Sequence, residues 1–205
     1  NANFSASGAG SLITTVSGST VTLGDGTVSG PMTIHDNSNL VLAADATYNG
    51  ALSLASVGNP TRLQIDGARS LSGTATVQMS NNFQNRISGK NVSGDSLVIG
   101  SDINVQGAGI IGGNDLSLVN NGSLIATQPA GITLNSGGTV TNNNVIRGDG
   151  ATFAISGTNL NQGSSGVLNA INDGSVRLIG GSSISGGTFT TGSGGQIATL
   201  SGHTA

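Results

Sequence analysis

The sequence predicts an all-β chain wound as a parallel β-helix, a β-solenoid with rungs of roughly 20 residues. Three observations predict it. An apolar couplet returns in short strand-like stretches: Leu97/Ile99, Leu116/Leu118, Ile132/Leu134, Phe153/Ile155, Val176/Leu178 and Ile197/Leu200. Successive couplets lie about twenty residues apart, inside the range that marks solenoid repeats. Between them lie Gly, Asn, Ser, Thr and Asp, which turn a chain rather than extend it. Finally, the residues that build exposed helix faces are missing. All nine acidic residues are Asp, Lys90 is the only lysine, and 35 glycines are spread through the chain. Each glycine weakens a helix by about 1 kcal/mol relative to alanine, whereas the abundant Val, Ile and Thr suit strands.

The elements follow in order. In the first half the candidate strands are Ser11–Val16, Thr20–Leu23, Met32–Ile34, Asn39–Ala43, Ala51–Ala55, Arg62–Ile65 and Thr74–Met79. Most alternate apolar with polar residues, the period of a strand with one buried face. Asp25-Gly26, Asn49-Gly50, Asp66-Gly67 and Ser72-Gly73 punctuate them as turns. From Asp95 the series is clearer: Ser96–Gly100, Asn104–Gln106, Leu116–Val119, Ser123–Ala126 and Gly131–Leu134, then Thr139–Thr141, Ala151–Ile155, Gly166–Ile171, Ser175–Ile179, Thr188–Thr191 and Gln196–Leu200. Two or three such strands fit one rung, and about ten rungs would stand roughly 48 Å tall. Residues 1–205 read as a single solenoid domain, with less regular rungs over 1–94 and regular ones over 95–200. Regular spacing without long loops favours this over a sandwich of antiparallel strands. Asn120-Asn121 and Asn142–Asn144 lie one period apart and are expected to stack in a turn as an amide ladder.

Composition excludes several functions. The chain is 35% hydrophobic and 7% charged with a net charge of −3, unlike a disordered polymer. It has no cysteine, hence no disulfide, thiolate or Cys-based metal site. No apolar run approaches the ~20 residues of a membrane helix. Six singly spread Arg and Lys, with four Phe, one Tyr and no Trp, offer neither a basic patch nor a stacking platform for nucleic acid. Asn1-Ala2-Asn3-Phe4 lacks the basic start and apolar stretch of a signal peptide, as expected if the sequence begins after a cleavage site or is an excised segment.

The units Leu116–Ala126 (LSLVNNGSLIA), Gly131–Ile146 (GITLNSGGTVTNNNVI) and Gly150–Gly157 (GATFAISG) resemble the β-helical passenger and exoprotein repeats of secreted bacterial surface proteins, of the filamentous-haemagglutinin-like and autotransporter-type adhesins. The resemblance covers Asp95 to Leu200 well and the first half loosely. It implies export, a right-handed winding, and adhesive or structural work outside the cell. No membrane-anchor barrel or secretion-signal domain is visible in these residues.

Several residues invite a site. Arg147-Gly148-Asp149 is the tripeptide of some integrin ligands, and Gly148 and Gly150 would present it on a loop; Gly-Asp-Gly is also ordinary turn chemistry. Gly112-Gly113-Asn114-Asp115 faintly matches a calcium-binding β-roll repeat but occurs once, without the carboxylates calcium needs. Arg86, Lys90 and Asp95 form the densest ionisable group, which on a β-helix face is the material of a polysaccharide-lyase-like enzyme. His35-Asp36, adjacent in a strand, face opposite sides and make no triad.

The expectation is therefore a non-enzymatic extracellular solenoid: a stalk, adhesin segment or fibre subunit that needs no cofactor. Its expected partners are further copies stacked end to end as a homo-oligomer or filament, with a surface glycan or host receptor as ligand. The alternatives are a carbohydrate-active β-helix enzyme and a host-receptor adhesin acting through Arg147, Gly148 and Asp149.

Overall fold

The computed structural model describes residues 2–5, 12–91 and 94–200; Ser11 and both ends of the expected domain lie outside them. Every strand pairing is parallel, and no helix occurs among the described residues. The chain winds around three faces, A, B and C, one strand on each per tier. The tiers are Ala2–Ser5, Ile13–Thr14, Thr20–Leu23; Gly26–Ser29, Met32–His35, Asn39–Leu42; Ala46–Ala55, which spans faces A and B, with Thr61–Ile65; Ala68–Ser72, Ala75–Met79, Asn85–Gly89; and Asp95–Ile99, Ile103–Gly107, Gly109–Gly112. They continue as Leu116–Asn120, Ser123–Ala126, Ile132–Leu134; Val140–Asn142, Val145–Asp149, Thr152–Ser156; Asn159–Gln162, Val167–Ile171, Ser175–Ile179; and Ser183–Ser185, Thr188–Thr191, Gln196–Thr199. Nine tiers make about eight turns of about 22 residues. At ~4.8 Å per tier the stack is about 38 Å tall, less than the ten rungs expected.

The couplet count overshot for a geometric reason. Leu97/Ile99 and Leu116/Leu118 lie on face A, whereas Ile132/Leu134 and the couplets after it lie on face C. The step from Leu116 to Ile132 is thus a move within one tier. The last couplet is also corrected: Leu178 pairs with Thr199, not Leu200. Eight strands escaped the apolar pattern; Gly26–Ser29, Ala68–Ser72 and Ser183–Ser185 did so because each carries a single inward apolar residue, Val28, Leu71 and Ile184 respectively.

Alternation sends every second residue inward, and register stacks these residues into columns. On face C, Leu40, Leu63, Ile87, Ile111, Leu134, Ile155 and Leu178 form one column. On face B, Met32, Leu52, Val77, Val105, Leu124, Ile146 and Leu168 form another. The neighbouring column of face B changes size along the stack: Ile34, Leu54 and Met79 give way to Gly107, Ala126, Gly148 and Ala170. Gly107 combines a φ of +119° with a position where a Cβ would collide with the Met79 carbonyl oxygen, so no other residue fits. In the tier of Gly148 stands the fully buried ring of Phe153, so a missing side chain on one face accompanies a large one on the next.

One column turns polar. On face A, Leu71 and Ile99 are followed by Asn120, Asn142 and Gln162, all buried. Asn120 Nδ2 donates to Asn142 Oδ1 at 2.7 Å, and Asn142 Nδ2 donates to Gln162 Oε1 at 2.8 Å. The expected amide ladder is present, but it runs inside the core at strand ends. A second rung lies in the turn, where Asn143 Nδ2 donates to Asn121 Oδ1. The chain of amides ends without partners at Asn120 Oδ1 and Gln162 Nε2.

A half-satisfied buried network is worse than an apolar one. Replacing Asn142 by Leu alone leaves Gln162 Oε1 without its donor and Asn120 Nδ2 with only the Val145 carbonyl oxygen at 3.3 Å, and is expected to cost about 3 kcal/mol in urea unfolding. Replacing Asn120, Asn142 and Gln162 together by Leu is expected to recover most of that loss.

Candidate functional site

The chain turns from face C into face A at a corner where side-chain oxygens of one tier take backbone N–H groups from the tier before. Gly67 N–H donates to Asp95 Oδ1 at 2.7 Å, and Gly89 N–H to Asp115 Oδ1 at 2.8 Å. In later tiers hydroxyls do the same work: Ser136 N–H donates to Thr158 Oγ1, and Thr158 N–H to Ser182 Oγ. Asp95 takes three further donors, Lys90 N–H at 2.8 Å, Asn91 N–H at 2.7 Å and Asn91 Nδ2 at 3.0 Å. Beside it, Lys90 Nζ donates to Asp66 Oδ2 at 2.6 Å, the one ion pair among the described residues.

The two inner carboxyls are pushed apart. Burial opposes the charge on Asp95, but the N–H donors of Asn91, Gly67 and Lys90 outweigh it and hold its pKa below the ordinary 3.8. Burial, aided by the neighbouring Asp95 charge, raises Asp115 against the pull of Gly89 N–H and Arg86. Both border a shallow hollow lined also by Asn114, Ser117, Gly137 and Gly138. A carboxylate has about four acceptor positions, and four N–H donors occupy those of Asp95. It ties Gly67 and the segment at Lys90-Asn91 to the stack rather than facing a substrate. The turn Gly112–Asp115 has positive φ at Gly112, Gly113 and Asn114 and commits Asp115 to Gly89. Nowhere among the described residues do three His or Asp gather as metal ligands.

The ionisable group Arg86, Lys90 and Asp95 does not converge. Lys90 reaches Asp66, Asp95 is buried in the corner, and Arg86 lies on the outer surface of face C, where Nη2 donates to Gln84 Oε1 at 3.0 Å. Its neighbour there is Arg62, which pairs with it directly in register. That neighbour was missed from sequence, although the separation of 24 residues, one local rung, was available to find it. Asp36 is held below the ordinary value by the Asn59 side chain and the Val57 and Asn59 N–H groups, so it closes a turn and leaves His35 uninvolved.

Arg147, Gly148 and Asp149 are not at a loop tip. They end the strand Val145–Asp149 of face B, and the turn begins only at Gly150. Arg147 and Asp149 face outward, half-buried; Asp149 Oδ1 accepts from Asn172 Nδ2 at 2.7 Å. Gly148 is buried in the small-residue column, where a Cβ would collide with the Ser175 carbonyl oxygen and lie 2.7 Å from that of Ala151. The expected turn is corrected because inward space, not loop conformation, selects this glycine.

Two outcomes follow. Gly148→Ala is expected to destabilise the fold by about 2 kcal/mol or more, as overpacking does, whereas Arg147→Ala and Asp149→Ala each cost under about 1 kcal/mol in chemical denaturation. For Asp95, whose folded pKa is depressed, the stabilisation is present at neutral pH and lost as pH falls through the folded value. Asp115 has the opposite sign, since its raised pKa makes protonation favour the fold. Asp95→Asn is expected to lower the urea midpoint at pH 7 and to flatten its decline as pH falls below the ordinary carboxyl value of 3.8.

Set against family models, curated proteins and solved structures, the chain has no match in any of the three comparisons.

Proposed function

We propose that this chain is a non-enzymatic, extracellular β-solenoid segment that works as a stalk or fibre element and extends by stacking tier upon tier. The carrying observation is the unbroken parallel ladder, whose register lays each inward residue on its equivalent one tier on. In the last described tier Phe189 is 48% exposed, and Ile184 and Ile197 are only partly covered by the described residues. In the first, Val21 is 39% exposed beside an apolar hollow lined by Ile13, Leu23, Val28 and Met32. The columns supply the complementarity. A second copy seated on the last tier continues Leu168 and Phe189 into its Ile13, and Val176 and Ile197 into the face C column.

Parallel strands pair head to tail, so the contact is heterologous, does not close, and grows into a filament. Function then lies in mechanics: pulling along the axis loads the inter-tier hydrogen bonds of all three faces together. The resemblance of residues 116–126 and 131–146 to exported adhesin repeats supports a place outside the cell.

Negative-stain imaging of concentrated protein is expected to show rods longer than one 205-residue solenoid. Phe189→Lys is expected to leave discrete monomers with an unchanged melting temperature. Wild-type protein that stays monomeric at high concentration sinks the end-to-end reading, as does assembly that survives the lysine.

A further inference from the structure

We propose that the outer surface of face C, at Arg62 and Arg86, is a binding site for an acidic glycan whose carboxylate or sulfate groups sit between the two guanidinium groups. The site stands whether or not copies join end to end.

The two arginines face outward on adjacent strands, Thr61–Ile65 and Asn85–Gly89, and are paired residue to residue. Parallel strands bring their backbones to ~4.8 Å. Two like charges at that spacing repel, and neither arginine has an ion-pair partner among the described residues. The acid whose charge reaches Arg86 is Asp115, which is committed to Gly89 N–H. Desolvation and the Arg86 charge both disfavour ionised Arg62, so an anion between the two relieves a cost the fold already carries.

The donors are available. A guanidinium has five N–H groups. Arg62 commits one, to Asn39 Oδ1 at 3.4 Å, and Arg86 commits one, to Gln84 Oε1 at 3.0 Å. Arg86 Nε is buried with no partner at all. Planar forks of this kind match carboxylate and sulfate oxygens two at a time. The surroundings select a sugar as carrier. Two residues along the same strand, half-buried Gln64 faces outward with an amide suited to sugar hydroxyls, while its register partner Ser88 is buried. Phe83, 60% exposed, stands at the adjoining corner as an apolar flank. With a net charge of −3 and two cations in the patch, the surface does not attract polyanions wholesale.

The test measures binding of the full chain to a heparin-derived hexasaccharide and to an oligogalacturonate of equal length, by calorimetry at low salt. Arg62→Gln and Arg86→Gln are each expected to weaken binding about tenfold, with the double variant near background. Arg177→Gln, an exposed arginine on the same face five tiers from Arg62, serves as control and is expected to change nothing. Stronger binding of the hexasaccharide assigns sulfate, and stronger binding of the oligogalacturonate assigns carboxylate. Overturning results are no binding of either probe by the wild type, full binding by a folded double variant, or an equal loss with Arg177→Gln.

Discussion

Everything in this molecule depends on register between tiers. A parallel ladder fixes which residue of one turn lies on which residue of the next, and alternation fixes which of them point inward. Paired residues are 19 apart from Val21 to Leu40 but 28 apart from Val77 to Val105. The columns survive this variation because the excess is taken up at corners. One such excursion lies between Gly89 and Asp95, where one buried carboxylate gathers the backbone N–H groups of Gly67, Lys90 and Asn91. A corner lengthens only where a side-chain acceptor replaces the missing strand partner, since an unpaired buried N–H is costly.

That requirement explains the odd composition. Asp, Asn, Ser and Thr have short side chains whose oxygens reach backbone N–H groups nearby, whereas Glu and Lys reach past them. The same corner position is therefore filled by Asp95 and Asp115 in two tiers and by Thr158 and Ser182 in later ones. The Asp95 carboxylate serves where several N–H groups converge, whereas Asp115, Thr158 and Ser182 each take one from the tier before. A chain can be 7% charged and still ordered because its acids act as internal acceptors more than as surface solubilisers.

The fold was legible because alternation and turn residues are local signals. The six couplets marked the second half, and most strands fell within a residue or two of their observed bounds. What was not legible was face. A couplet looks alike on face A and on face C, so the period was read across a corner and the tiers were overcounted. Strands with one inward apolar residue, such as Asn159–Gln162, were silent for the same reason. Arg147–Asp149 was misread because Gly148 has two physical explanations, turn and tight packing, and only the position of Ser175 in the next tier separates them. Arg62 and Arg86 needed the converse knowledge: their adjacency exists only once the local rung is known to be 24 residues.

Solenoid geometry also decides where recognition can sit. Inward positions are consumed by columns, and corners by N–H capture, which leaves the outward columns of the three faces. There a side chain meets the equivalent residue of the tiers above and below, so any chemistry placed at one position is offered beside whatever the neighbouring tiers hold. On face C the outward series Thr20, Asn39, Arg62, Arg86, Ile110 and Thr133 holds one like-charged pair with polar neighbours on one side and an apolar one on the other. A single substitution in such a column changes one rung of a surface and leaves the ladder intact, because the outward side chain contributes nothing to the register. A repeat fold can thus acquire a ligand on an outer face without giving up the stacking that keeps it rigid.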